Sequence, residues 1–178
     1  MSEMLHLRNR QRVRPLNLPL LRRLVRHLLT RHLQLRQFEV CFHFIARREM
    51  TRLNEGFLLH PGSTDVITFN HAGSAELPVL YGEIFISLDD AVEQAAEFHT
   101  TWPAELVRYL VHGMLHLLGH DDRQPGARRR MKRAEDRLLR LLAGEFPLAR
   151  LARPRVSPTA VSGRFGLRKR LRKPRLAK

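Results

Sequence analysis

Cysteine is nearly absent from this chain: Cys41 is the single one among 178 residues. One thiol excludes an internal disulfide and any zinc site built on cysteine pairs, and it agrees with a reducing compartment. Long apolar runs are missing too. No stretch reaches the roughly 18 uninterrupted apolar residues of a membrane span. Arginines recurring through residues 8–36 leave no apolar centre for a secretory leader. Together these absences point to a cytoplasmic protein that does not span a membrane. Acidic residues are scarce as well, 17 against 32 Lys and Arg, for a net charge of +15. Such an imbalance excludes a preference for cationic partners and favours polyanions, nucleic acid first and an anionic membrane surface second.

Hydrophobic residues make up 43% of the chain, enough for the core of one domain. The charge is unevenly spread. Residues 153–178 hold ten Lys or Arg and no acid, together with Pro154, Pro158, Pro174, Gly163 and Gly166. That composition cannot bury enough apolar surface to fold by itself, so the sequence divides into a domain over 1–150 and a disordered basic tail over 151–178. The tail carries ten of the fifteen net charges, which leaves the domain only mildly basic.

Within the domain, helical and strand patterns alternate. Residues 19–33 place leucines on one helical face and arginines on the other, after Pro19. Residues 38–45, 66–69 and 82–87 read as strands, and residues 47–57 as a helix. Asp89 and Asp90 suit the N-terminus of a helix running to about Phe98. Pro103 suits the first turn of the next helix, and a last helix follows Gly126 to about Leu142. No internal repeat is visible. The expected fold class is α+β, a small mixed sheet packed with helices, with a metal site on a helix and the turn after it.

That metal site is read from His112-Gly113-Met114-Leu115-His116-Leu117-Leu118-Gly119-His120-Asp121-Asp122. Histidines four apart share one face of a helix. Gly119 can end the helix in a left-handed turn, after which Asp122, or alternatively His120, can approach the same point. Two histidines at this spacing are otherwise simply polar residues on a helix face. With a third ligand they form a three-ligand site with an open position, the pattern of catalytic rather than structural zinc. Asp121 is placed as a carboxylate that accepts a ligand histidine's second N–H, with a solvated helix-end acid as the alternative. Metzincin proteases close around zinc with similar spacing, but their general base directly follows the first histidine, where Gly113 stands here.

The segment resembles the signature of the YbeY family of rRNA-maturation endoribonucleases, His-Gly-x-Leu-His-Leu-x-Gly-(Tyr/His)-Asp-His, agreeing everywhere except at the last histidine, where Asp122 stands. Leu53-Asn54, Thr64 to Phe69, Gly82 to Ser87, and Met131 with Glu135 resemble further family motifs, so the resemblance spans about 38–142. It implies a Zn²⁺-dependent, single-strand-specific endoribonuclease acting on rRNA at the small ribosomal subunit, in 16S rRNA 3′-end maturation and ribosome quality control. It implies His112, His116 and Asp122 as metal ligands, with His120 as the alternative third. Another divalent ion could replace zinc, and an anionic third ligand shifts preference toward harder ions.

Asp65 and Glu83 are candidate proton carriers if they face the metal. The family carries an arginine just after the aromatic near position 57, where this chain has Leu58. His60 in the following loop is a candidate substitute for binding phosphate. Arg168, Lys169 and Arg170 in the tail are candidate RNA-binding residues, attracting RNA through counterion release. A metal-stabilised rRNA- or ribosome-binding protein with weak or no catalysis is the second reading. A metallopeptidase is the third, disfavoured by Gly113. The sequence leaves the oligomeric state open.

Overall fold

The computed structural model describes residues 3–72 and 80–153. Four strands form one mixed sheet in the order β1 (Glu3–Asn9), β2 (Phe38–Ile45), β4 (Leu80–Ser87), β3 (Val66–Asn70). β1, β2 and β4 run parallel, and β3 closes the other edge antiparallel to β4. Among the described residues five α-helices accompany them: α1 (Leu18–His27), α2 (Arg47–Leu53), α3 (Leu88–Glu97), α4 (Trp102–Leu117) and α5 (Pro125–Glu145). Among the described residues, no helix is long and apolar enough to cross a membrane.

The parallel register puts Leu5, Val40 and Gly82 on one face of the sheet and His6, Cys41 and Glu83 on the other. The first face is sealed. Phe38, Val40, Phe42 and Phe44 of β2 and Ile84 and Ile86 of β4 pack there against Leu21, Leu24 and Val25 of α1, and against Leu110 and Met114 of α4. Leu138 and Leu142 of α5 complete the same core. Burial of this apolar surface is what holds the helices on the sheet. Among the described residues, the second face is covered at one end, where Ile45, Met50 and Ile67 form a small separate cluster.

Local signals set the helix starts. Asn17 accepts the Leu20 N–H with its side chain, and Ser87 does the same for Asp90 at the start of α3. α1 and α2 each end in a widened π turn, Leu28–His32 and Asn54–Leu58, which the apolar periodicity alone extends as ordinary helix. β1 was not among the strands expected from sequence. Only Leu5 and Leu7 mark its inner face, and the strand forms because β2 offers a parallel ladder along its whole length.

The fold continues past residue 150. Leu151 is fully buried in the core, Ala152 bridges Leu16, and the Arg153 N–H donates to the Pro15 carbonyl. Arg168, Lys169 and Arg170 lie outside the described residues.

Candidate metal centre

α4 is the central helix, and most of its residues are buried. Its less buried stripe at helical spacing runs through Arg108, His112 and His116. At Gly113 the helix comes close to the sheet: an added Cβ would lie 2.8 Å from Ile84 Cγ2 and 3.1 Å from Val66 Cγ1. Any side chain at this position, which supplies the metzincin base, would force Ile84 or Val66 to shift. Gly119 ends α4 at φ +86°, a conformation open to glycine at little cost. The Gly119 N–H donates to the His116 carbonyl and the His120 N–H to the Leu115 carbonyl, the paired bonds of a Schellman stop.

That stop turns the chain so that Asp122 faces the helix. The Nε2 atoms of His112 and His116 are 3.0 Å apart, and Asp122 Oδ2 lies 4.0 and 3.9 Å from them. A triangle with these sides contains a point about 2.1 Å from every corner, the distance at which zinc takes imidazole nitrogen or carboxylate oxygen. The donor set therefore fits a divalent metal, with two imidazole nitrogens and one carboxylate oxygen. The His120 ring is not part of this group. Its backbone carbonyl instead pairs with His116 Nδ1 at 3.1 Å.

Both histidines are oriented through their second nitrogen. His112 Nδ1 meets Glu135 Oε2 at 3.1 Å, and with the carbonyl on His116 this directs both Nε2 atoms to the same point. Glu135 was noted in the sequence only as part of a motif. In the fold it is a buried carboxylate on α5 that also accepts from Arg108 Nη1 and Lys132 Nζ, each at 2.8 Å. Burial alone would raise its carboxyl. The hydrogen bonds from His112, Lys132 and Arg108 outweigh that and hold it at about 2. His112 is shifted up: burial opposes its charge, but the bond to Glu135 and the negative charges of Glu135, Asp65 and Asp122 prevail.

Of the two readings of Asp121, the structure agrees with the solvated acid: its carboxylate accepts the Arg123 N–H at 3.1 Å in an exposed turn, and Glu135 takes the orienting role. The expectation for Glu83 is corrected. Gly82 faces Leu117 of α4, so the alternation of β4 sends Glu83 to the opposite face of the sheet from the two histidines. There its carboxylate meets His43 Nε2 at 2.6 Å and His71 Nε2 at 3.6 Å. His60 is exposed, and its backbone N–H reaches the Asn54 carbonyl across the α2 turn; its ring is not part of the three-ligand group.

Asp65 stands on the helix side of the sheet at the start of β3. Its carboxylate accepts the Val66 N–H and the Thr64 hydroxyl. With Arg108, Tyr109 and Lys132 it lines a groove of about 410 Å³ beside the His112 end of the site. Two cations, Arg108 and Lys132, thus stand near the metal group through their bonds to Glu135. Each is recognisable only once α5 is packed on α4.

Comparison with known proteins agrees with this geometry. The sequence model of the family described as Endoribonuclease YbeY matches residues 6–143. An Endoribonuclease YbeY of Chlorobium phaeovibrioides is 43% identical over 95 residues, covering 53% of this chain and 62% of that protein. One of Salinibacter ruber is 39% identical over 94 residues, covering 49% and 60%. A third, of Parabacteroides distasonis, is 36% identical over 107 residues, covering 60% and 73%. The chain therefore spans about three fifths of the length of the first two relatives. A solution structure of a Thermotoga maritima protein shares the fold, with a TM-score of 0.59 and 24% identity over 80% of this chain and 91% of that one. By the extent of the family match, over a sheet and helix arrangement that brings the signature histidines together, this chain belongs to the YbeY family.

Proposed function

We propose that this chain is a metal-dependent endoribonuclease that cleaves single-stranded RNA, acting in rRNA processing at the 16S 3′ end and in ribosome quality control. The observation that carries the reading is the convergence of His112 Nε2, His116 Nε2 and Asp122 Oδ2 with both Nδ1 atoms already engaged. The names of the relatives, Endoribonuclease YbeY, supply the reaction class. Zn²⁺ is the proposed ion, with His112, His116 and Asp122 as its ligands. When bound, it polarises a phosphate oxygen and acidifies water for attack on the phosphodiester.

The protein's own groups do the rest. Glu135 holds the His112 ring and keeps its proton on Nδ1, so that Nε2 is free to ligate. Arg108 and Lys132 border the groove and hold the Glu135 carboxylate against the His112 ring. Asp65, on the same side, is the proposed proton carrier. Glu83 is not proposed for that role, since it faces away. The domain, with the residues up to Arg153 that pack on it, is proposed as the catalytic unit. The basic residues beyond it, Arg168, Lys169 and Arg170 among them, are proposed to add sequence-independent affinity for rRNA on the small subunit. The cytoplasm is the proposed location.

The test is cleavage of a single-stranded RNA by the purified full chain, with and without chelator, beside His116→Ala. Equal cleavage by both proteins would overturn the proposal. One observation favours a second reading, an rRNA-binding protein with weak catalysis: Leu58 stands where the family's arginine is expected. Tight rRNA binding with stoichiometric zinc, and no turnover above His116→Ala, would decide for it. The packing at Gly113 argues against a peptidase of the metzincin kind.

A further inference from the structure

A second set of two histidines and one carboxylate lies where the end of α1 meets the end of α5. His27 ends α1, His32 ends the π turn that follows, and Glu145 is the last residue of α5. Five residues along an ordinary α-helix turn a side chain by about 140°. In a π turn, residues five apart lie nearly one above the other. The widened turn is real in the backbone, where the Leu33 N–H reaches the Leu28 carbonyl at 2.9 Å. It brings the two imidazoles edge to face, with ring centroids 5.1 Å apart. Glu145 Oε2 then lies 2.8 Å from the Nε2 atom of each.

Several features of this arrangement suit a cation. His27 Nε2 is buried and has no well-aligned hydrogen-bond partner, although a carboxylate oxygen stands beside it. The Phe146 ring packs on the His27 ring, centroids 5.4 Å apart, which limits its swing. Glu145 places negative charge at the C-terminal end of a 21-residue helix, where the helix dipole disfavours it and a nearby cation is stabilised. The side chains of His27 and Glu145 keep 33% and 40% exposure, so an ion can enter from solvent and retain water ligands. Arg23 and Arg150, lining the neighbouring groove, oppose a second positive charge and keep the affinity modest.

We propose that His27, His32 and Glu145 form a second divalent metal site, with two imidazole nitrogens and one carboxylate oxygen, suited to Zn²⁺. Its donors come from the end of the first helix and the end of the last, so the bound ion clips α1 to α5 and acts on stability rather than on cleavage. The site is independent of the α4 histidines and of any catalytic role.

The experiment uses the full chain carrying His112→Ala and His116→Ala, titrated with Zn²⁺ by calorimetry and thermal melting after chelator treatment. One Zn²⁺ per chain and a rise in Tm are expected, and both are lost when His32→Ala or Glu145→Gln is added. No binding by the double variant would overturn the proposal, as would binding that persists in both of those additions. Should the double variant fail to fold, the otherwise unchanged chain serves. There Glu145→Gln lowers the zinc count by one while leaving RNA cleavage as it was, and an unchanged count overturns the proposal.

Discussion

The two clusters of paired histidines use the same donors and differ in how the backbone aligns them. His112 and His116 are four apart on a regular helix, the spacing at which side chains stack without distortion. His27 and His32 are five apart and meet only because the helix widens between them. The α4 pair is also braced from behind, by Glu135 on one ring and the His120 carbonyl on the other. The α1 pair has an aromatic neighbour and a shared carboxylate at the helix end. Orientation from behind belongs with a site that must present a defined open position. A cluster joining the ends of two helices belongs with stability.

Exchanging one ligand in each cluster separates these roles most sharply. His116→Ala is expected to remove RNA cleavage altogether, and His32→Ala to leave its rate unchanged, in a turnover assay of the two proteins side by side. Comparable losses in both would erase the distinction drawn here. Next in size is the brace. Glu135→Gln keeps a hydrogen-bond acceptor but loses the carboxylate that holds His112, Arg108 and Lys132, and should weaken metal binding about 10- to 100-fold. Competition for Zn²⁺ with a chromophoric chelator measures it, and an unchanged affinity would leave Glu135 a purely structural anion.

Packing gives the third effect. Gly113→Ala places a methyl 2.8 Å from Ile84 Cγ2 and should destabilise the fold by about 1–3 kcal/mol through overpacking. Chemical denaturation reads this directly, and a neutral result would mean the α4–sheet contact yields more easily than its geometry implies. The smallest effect is expected at Glu83. Glu83→Gln, on the far face of the sheet, should leave metal content and turnover within about twofold of the parent, since rim and surface changes away from a site cost little. A large drop in turnover at unchanged stability would return Glu83 to the site.

The difference between the clusters also explains what could be read in advance. The α4 site is local: two histidines, a glycine stop and an aspartate within eleven residues, so helical periodicity and one left-handed turn suffice to assemble it. The assignment of Glu83 and Asp65 depended on which face of a strand looks toward α4. Alternation along the chain says that neighbours point oppositely, but only the packing of Gly82 on Leu117 says which way. β1 was invisible for a related reason. An edge strand with two inward leucines among charged residues has too weak a pattern, and its pairing with β2 supplies what the pattern lacks.

From the sequence alone follow the mixed α+β character, the helix carrying His112 and His116, the glycine turn toward Asp122, and the membership suggested by the signature. All of these rest on spacings of a few residues, where backbone geometry leaves few alternatives. The tertiary structure decided what depends on distant segments meeting. It placed Glu135 behind His112, Arg108 and Lys132 beside the groove, Glu83 on the opposite face, and Glu145 against two histidines more than a hundred residues away. Such meetings are fixed by burial of a shared core, a property of the whole chain that no local pattern encodes.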